Sequence, residues 1–170
     1  MRNFLLGALV APVVLGVAIF GYALSGMPPI AADATPNALE AAFMSAAVHA
    51  AVRREATEVS APPPVTDSLL IAGGRLYLNN CVGCHGAPGE PPSSFGATFY
   101  PRVPQFPAAG TEYSEREVYF IAKHGIRWTG MRSQGRWYKE QSLRSLAAFV
   151  THIRALPPAV AESLAAPGKK

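Results

Sequence analysis

Cys81 and Cys84, with His85 directly behind them, constrain this chain more than any other feature. The stretch Cys81-Val82-Gly83-Cys84-His85 has the form C-x-x-C-H. Thiols at this spacing share one helical turn. Each can form a thioether to a vinyl group of one haem, while the adjacent imidazole offers the iron its first axial ligand. Two other chemistries use the same residue types. A redox dithiol belongs in a βαβ setting, and no strand–helix alternation precedes Cys81. A tetrahedral zinc site needs four ligands, and no second Cys/His cluster at finger spacing is present. Haem attachment therefore leads, with the other two weaker. The chain's 2 cysteines both lie in the motif, which leaves none for a structural disulfide.

The N-terminus carries a second strong constraint. Arg2 is followed by an uncharged apolar run from Phe4 to Leu24, and about 20 such residues cross a bilayer as a helix. Pro12 and the glycines inside the run are tolerated in a membrane span. Arg2 on the cytoplasmic side would place the rest of the chain outside. Residues 1–30 are thus read as a retained anchor. The competing reading is a cleaved signal peptide, whose apolar core usually runs about 7–15 residues, with small residues near Ala32 and Ala34 as a weak cleavage site. Both readings put the bulk of the chain in an oxidising extracytoplasmic space, which suits haem attachment after export. The expected location is a bacterial inner membrane, crossed once, with the remaining chain in the periplasm.

Length and composition leave room for one modest domain with appendages: 170 residues, 16 prolines and 15 glycines imply long irregular connections. A net charge of +4 does not imply nucleic acid. Residues 31–64 read as a helical spacer and a proline-rich linker. Thr35 is the expected N-cap, with Pro36 in the first turn. Leu39, Phe43 and Ala46 or Ala47 follow at helical spacing, with Val48 and Val52 beside them. That stripe is thin, so the helix is expected to lift the domain off the membrane, with partner docking as the alternative. Met44 and His49 lie on it and are not expected to be ligands. Ala61-Pro62-Pro63-Pro64 closes the segment as a stiff extended linker.

The domain proper is expected over residues 65–158. Asp67 is the expected N-cap of a helix carrying Leu69, Leu70, Gly73, Leu76 and Tyr77 into the cysteine motif. Gly73 and Gly74 lower its helix propensity but permit close approach of another helix. The expected partner is Ser142–Leu156, where Leu143, Leu146, Ala147, Val150 and Ile153 recur at helical spacing, and Pro157-Pro158 stops it. Tyr77 and Phe149 are the expected aromatic contacts. Between Gly86 and Gly110 no periodicity appears. A proline carbonyl there, at Pro104 or else Pro101 or Pro107, is expected to accept the Nδ1–H of His85. Ser114 caps a helix from Glu115 to about His124, with Glu117 completing a capping box and Gly125 ending it. Beyond it lies Met131, the expected second axial ligand through its thioether. The other methionines, Met1, Met27 and Met44, are all upstream of the domain. His124 and His152 are the competing ligands.

With these pieces in place the chain resembles the class I mono-haem cytochromes c of bacteria. The resemblance rests on Gly73-Gly74-Arg75-Leu76-Tyr77, on Cys81 to Gly86, on Lys123 through Met131, and on the last helix ending Leu156-Pro157. It implies an all-α fold of three to four helices around one covalently bound haem c, preceded here by a transmembrane helix. It also implies axial ligation by His85 and Met131. Two positions depart from the family pattern. Arg132 stands where a proline usually follows the methionine, and Ala147 and His152 stand where the last helix often carries Trp and Tyr.

Arg127, Arg132, Arg136 and Lys139 fall on the Met131 segment with no acidic residue among them. A basic rim of this kind would steer the protein toward an acidic surface on a redox partner; one arginine could instead hold a haem propionate. The expected function is electron transfer by a membrane-tethered carrier, alone or as a subunit with a dehydrogenase or respiratory oxidase, rather than an enzyme by itself. The alternative is a ligand sensor or peroxidase-like protein in which Met131 dissociates, with His124 and Arg132 as its acid–base candidates. Residues 159–170 are expected to be a flexible tail.

Overall fold

The computed structural model describes residues 1–165, and among them there is no β-strand. The chain divides into two compact units, residues 1–35 and residues 36–170. In the first, α1 spans Arg2–Leu24, with Pro12 inside it. Its 23 residues extend about 34 Å at the helical rise, enough for a hydrocarbon core of about 30 Å. Its residues 6–24 are apolar enough, by length and composition, to cross a membrane.

The second unit begins with α2, Ala38–Ala56. Asn37, not Thr35, caps it: its Oδ1 accepts the Leu39 N–H at 2.8 Å. Asparagine is the stronger capping residue, and the helix starts after Pro36 rather than with it. The expected spacer role also changes. Val52 and Ala56 are buried, α2 lies against α6 (Glu115–His124), and His49 stacks on Tyr113 with ring centroids 4.7 Å apart. The inward stripe runs through Val48, Val52 and Ala56 at i, i+4 spacing, while Leu39 and Phe43 are exposed. The chain leaving α2 is tied down as well, for the Arg144 guanidinium donates to Ser60 Oγ at 2.6 Å and lies over the Tyr119 ring. The helix expected as a spacer therefore docks on the domain through its second half, from Val48 to Ala56.

α3 spans Asp67–Asn80, capped by Thr66, whose hydroxyl accepts the Leu69 N–H at 3.2 Å. Asp67, expected as the cap, is the first helical residue, where its charge favours the helix dipole. α3 crosses α7 (Glu140–His152). The crossing needs glycine: a Cβ on Gly73 would stand 1.9 Å from the Ser145 carbonyl oxygen. Tyr77 and Phe149, both fully buried, meet beside it at a centroid distance of 5.4 Å. α7 begins two residues before the expected Ser142 and ends at His152, with Ile153 buried at its C-cap.

α6 carries the expected capping box between Ser114 and Glu117. Gly125 ends it at φ 72°, but with ψ −174° rather than a left-handed helical value. The last described element, α8, spans Pro158–Ala165. This corrects the expected tail. Pro157-Pro158 stops α7 and Pro158 then opens a new helix, where its missing N–H costs nothing. Val160 is fully buried with Leu70 and Ala148, and Leu164 packs over Gly74. Residues 166–170 of the expected tail lie outside the described residues. The short turns α4 (Val82–His85) and α5 (Phe106–Ala109) complete the all-helical domain.

Candidate functional site

Cys81 is at once the last cap of α3 and the entry to α4. Its carbonyl accepts the Cys84 N–H at 3.2 Å and the His85 N–H at 2.9 Å, so both thiols and the imidazole stand on one turn. Gly86 ends that turn at φ 82°. The buried Tyr77 hydroxyl donates to the Gly86 carbonyl at 2.7 Å and lies 3.2 Å from that of His85. Burial raises the pKa of Tyr77, which keeps it a neutral donor.

The irregular stretch after the motif braces the turn from the other side. Gln105 Nε2 donates to the Cys84 carbonyl at 2.9 Å, and its Oε1 accepts the Ser93 N–H at 2.7 Å. A Cβ on Gly96 would stand 2.1 Å from the Cys84 carbonyl oxygen, so only glycine permits this approach. His85 Nδ1–H donates to the Pro104 carbonyl at 2.9 Å, and the Phe106 ring stacks on the imidazole at 4.5 Å. With Nδ1 protonated in that bond, the Nε2 lone pair is left to bind a metal. Burial lowers the pKa of His85, with the Pro104 bond opposing, which favours the neutral form a ligand needs.

Met131 sits on a closed turn between α6 and α7. Thr129 N–H donates to the Ile126 carbonyl at 3.3 Å, the Thr129 hydroxyl to the same carbonyl at 2.8 Å, and Ile126 N–H to the Met131 carbonyl at 2.9 Å. A Cβ on Gly125 would come within 2.6 Å of the Met131 carbonyl oxygen, and one on Gly130 within 2.5 Å of the Phe99 ring. Trp128 occupies the third position of this turn with φ 64°, a conformation that costs a bulky side chain roughly 1–2 kcal/mol.

Two apolar cavities of about 290 and 200 Å³ lie between these parts. Cys81, His85, Pro104, Ile126, Met131 and Leu146 line both, while Cys84 lines the smaller. The structure thus brings the four expected site residues to one place. The donor set fits an iron porphyrin: a neutral imidazole, a thioether, two thiols outside any disulfide, and apolar walls for a flat macrocycle. The weaker readings fit less well. Burial and the neighbouring Cys84 push the Cys81 thiol up to about 11, away from a nucleophilic thiolate. Among the described residues no group of three or more His, Cys, Asp or Glu converges as a zinc site would require.

The family model of cytochrome c oxidase, cbb3-type, subunit III matches residues 69–150. Those residues are a c-type cytochrome domain. No curated protein and no solved structure matches the chain. The cytochrome domain runs from the first turn of α3 to near the end of α7 and includes Cys81, Cys84, His85 and Met131; α1, α2 and α8 lie outside the matched stretch. Such a domain implies haem c and supports haem-based electron transfer.

The competing ligands, His124 and His152, line neither cavity. His124 is exposed at the end of α6 against Phe120, and His152 bonds the Ala148 carbonyl at 2.8 Å from α7. Arg127, Arg132, Arg136 and Lys139 are all exposed, and Arg132 reaches the smaller cavity. Among the described residues the ion pairs are Arg54–Glu55 and Arg144–Glu140, so none involves these four cations. Sequence reasoning missed Gln105, Gly96 and Phe106; His49, not expected as a ligand, lines the larger of the two cavities. Gln105 makes contacts 12 and 21 residues away, which no local pattern encodes. The sequence suggests packing alone for Tyr77, although its place four residues before Cys81 is a signal for a bond under the motif.

Proposed function

We propose that this chain is a single-haem electron carrier, tethered to the bacterial inner membrane by α1, with its cytochrome domain in the periplasm. The observation that carries the reading is the sharing of both apolar cavities by His85, with Nδ1 committed to Pro104, and Met131. When bound, the haem supplies a one-electron Fe(II)/Fe(III) couple. Cys81 and Cys84 would hold the ring covalently. His85 Nε2 and Met131 Sδ would take the two axial positions, which leaves no open position for a substrate. Pro104 keeps the imidazole in the binding tautomer, and Phe106 limits its rotation. The apolar side chains exclude water and so favour the less charged, reduced state.

The membrane tether confines partner search to a shell beside the bilayer, where effective concentrations reach about the millimolar range. A membrane-bound oxidase or dehydrogenase with an acidic face suits the exposed cations as partner. The family's own description, an oxidase subunit, supports membership of such a complex.

The test is carbon monoxide addition to the reduced, haem-loaded protein at neutral pH. An unchanged visible spectrum supports the carrier. Rapid carbon monoxide binding would instead favour a sensor or peroxidase-like protein with a displaceable Met131. Retention of haem-staining protein in alkali-washed membranes tests the anchor against a cleaved signal peptide.

A further inference from the structure

We propose that Trp128 is the anchor of a docking surface for a redox-partner protein, one presenting an apolar pocket rimmed by carboxylates. The proposal rests on the electron-carrier reading and adds to it the residue that does the binding.

Trp128 is 86% exposed, among the most solvent-facing large apolar residues of the second unit. Its φ of 64° places a bulky side chain where glycine or asparagine is usual. The turn is held by the Thr129, Ile126 and Met131 bonds and not by any packing of the indole. The fold thus gains nothing internally from tryptophan here, yet keeps it in a strained conformation. Strain of this kind collects at binding sites.

Its neighbours supply the rest of an interface. Arg127 lies beside Trp128 within the turn and Arg132 directly follows Met131, both exposed; further along, Arg136 and Trp137, the latter 70% exposed, have the same character. No Asp or Glu occurs between Glu117 and Glu140. Tryptophan and arginine are the residues most enriched at binding hot spots. The charge selects an acidic rim, and the indole needs an apolar recess inside it.

Tryptophan and arginine also suit an anionic lipid surface. A protein fits better. The turn bearing Trp128 also bears Met131 and walls the cavities, so whatever seats on it is brought to the cytochrome site. Membrane attachment is already the role assigned to α1.

The experiment uses the full-length, haem-loaded chain in membranes of the source organism whose own copy has been deleted. Re-oxidation of the haem after an oxygen pulse is followed by stopped-flow absorbance. Trp128→Ala should slow it about tenfold or more, the loss expected of a hot spot, whereas Trp128→Phe should retain most of the rate. Oxidation by a small cobalt(III) phenanthroline complex and the reduction potential should not change in either variant. Arg127→Glu should flatten the salt dependence of the membrane rate. An unchanged membrane rate in Trp128→Ala would overturn the proposal. So would equal slowing with the cobalt reagent, which would mean a structural role in the Met131 turn. A blue shift of tryptophan emission with phosphatidylglycerol–phosphatidylcholine vesicles, lost in Trp128→Ala while the membrane rate holds, would assign the surface to lipid instead. A wild-type chain without haem would remove the electron-carrier reading itself; the variant rates on a haem-bearing chain bear on the docking surface alone.

Discussion

His85 is held from several parts of the chain at once, whereas Met131 rides on a turn closed mostly by its own bonds. Around His85, the Pro104 carbonyl, the Phe106 ring, the Tyr77 hydroxyl under Gly86 and the Gln105 amide on Cys84 all converge. Around Met131, the bonds run among Ile126, Thr129 and Met131, and the tip carries exposed Trp128 beside exposed arginines. The contrast teaches a division of labour. One wall fixes ligand geometry through long-range contacts that belong to the core. The other wall is local, open to solvent and free to carry surface chemistry. Substitutions around the first should cost folding and haem retention; at the second, loss of Met131 itself should change ligand binding and potential with the fold intact.

The largest effect is expected at His85. His85→Ala removes the imidazole from the braced turn, and haem-stained gels should show little or no stable holoprotein. Met131→Ala should keep the covalent haem and the helical circular dichroism. The reduced protein should then bind carbon monoxide, and its potential should fall by at least about 59 mV, a tenfold change in a one-electron equilibrium. If Met131→Ala instead unfolds the domain, the two walls are not independent. Gly96→Ala should distort the Cys84 carbonyl contact and destabilise by about 1–3 kcal/mol in denaturant titrations. Tyr77→Phe removes only a hydroxyl and leaves the Gly86 carbonyl short of a partner, a loss of about 1–3 kcal/mol. The smallest effect is expected at Thr66→Ala, about 1 kcal/mol from the lost cap of α3, with the visible spectrum unchanged.

What could be read before the structure follows the same divide between local and distant contacts. The Cys81–His85 turn and the Ser114–Glu117 capping box are set by neighbours within four residues, and both are present as expected. Gly73 was legible as a crossing point because a glycine pair in an apolar helix has few other uses. The docking of α2 was not. Leu39 and Phe43 dominate its hydrophobic pattern yet face outward, and the buried contact is made by smaller Val52 and Ala56. α8 was hidden for a related reason: it is short, and one buried valine, Val160, with Leu164 beside it holds it down. Gln105 looked like any loop glutamine until its distant partners were seen. Pro104 could be named in advance only as one of three prolines, because the choice depends on how an aperiodic loop closes over His85.

The account depends most on the covalent capture of one haem by Cys81 and Cys84 in the cavity shared by His85 and Met131. Intact mass under denaturing conditions, measured on the chain made in a host able to mature c-type cytochromes, tests this most directly. The account predicts the mass of the polypeptide plus one haem, retained after unfolding. A mass equal to the polypeptide alone, with both thiols free or joined as a disulfide, would contradict it.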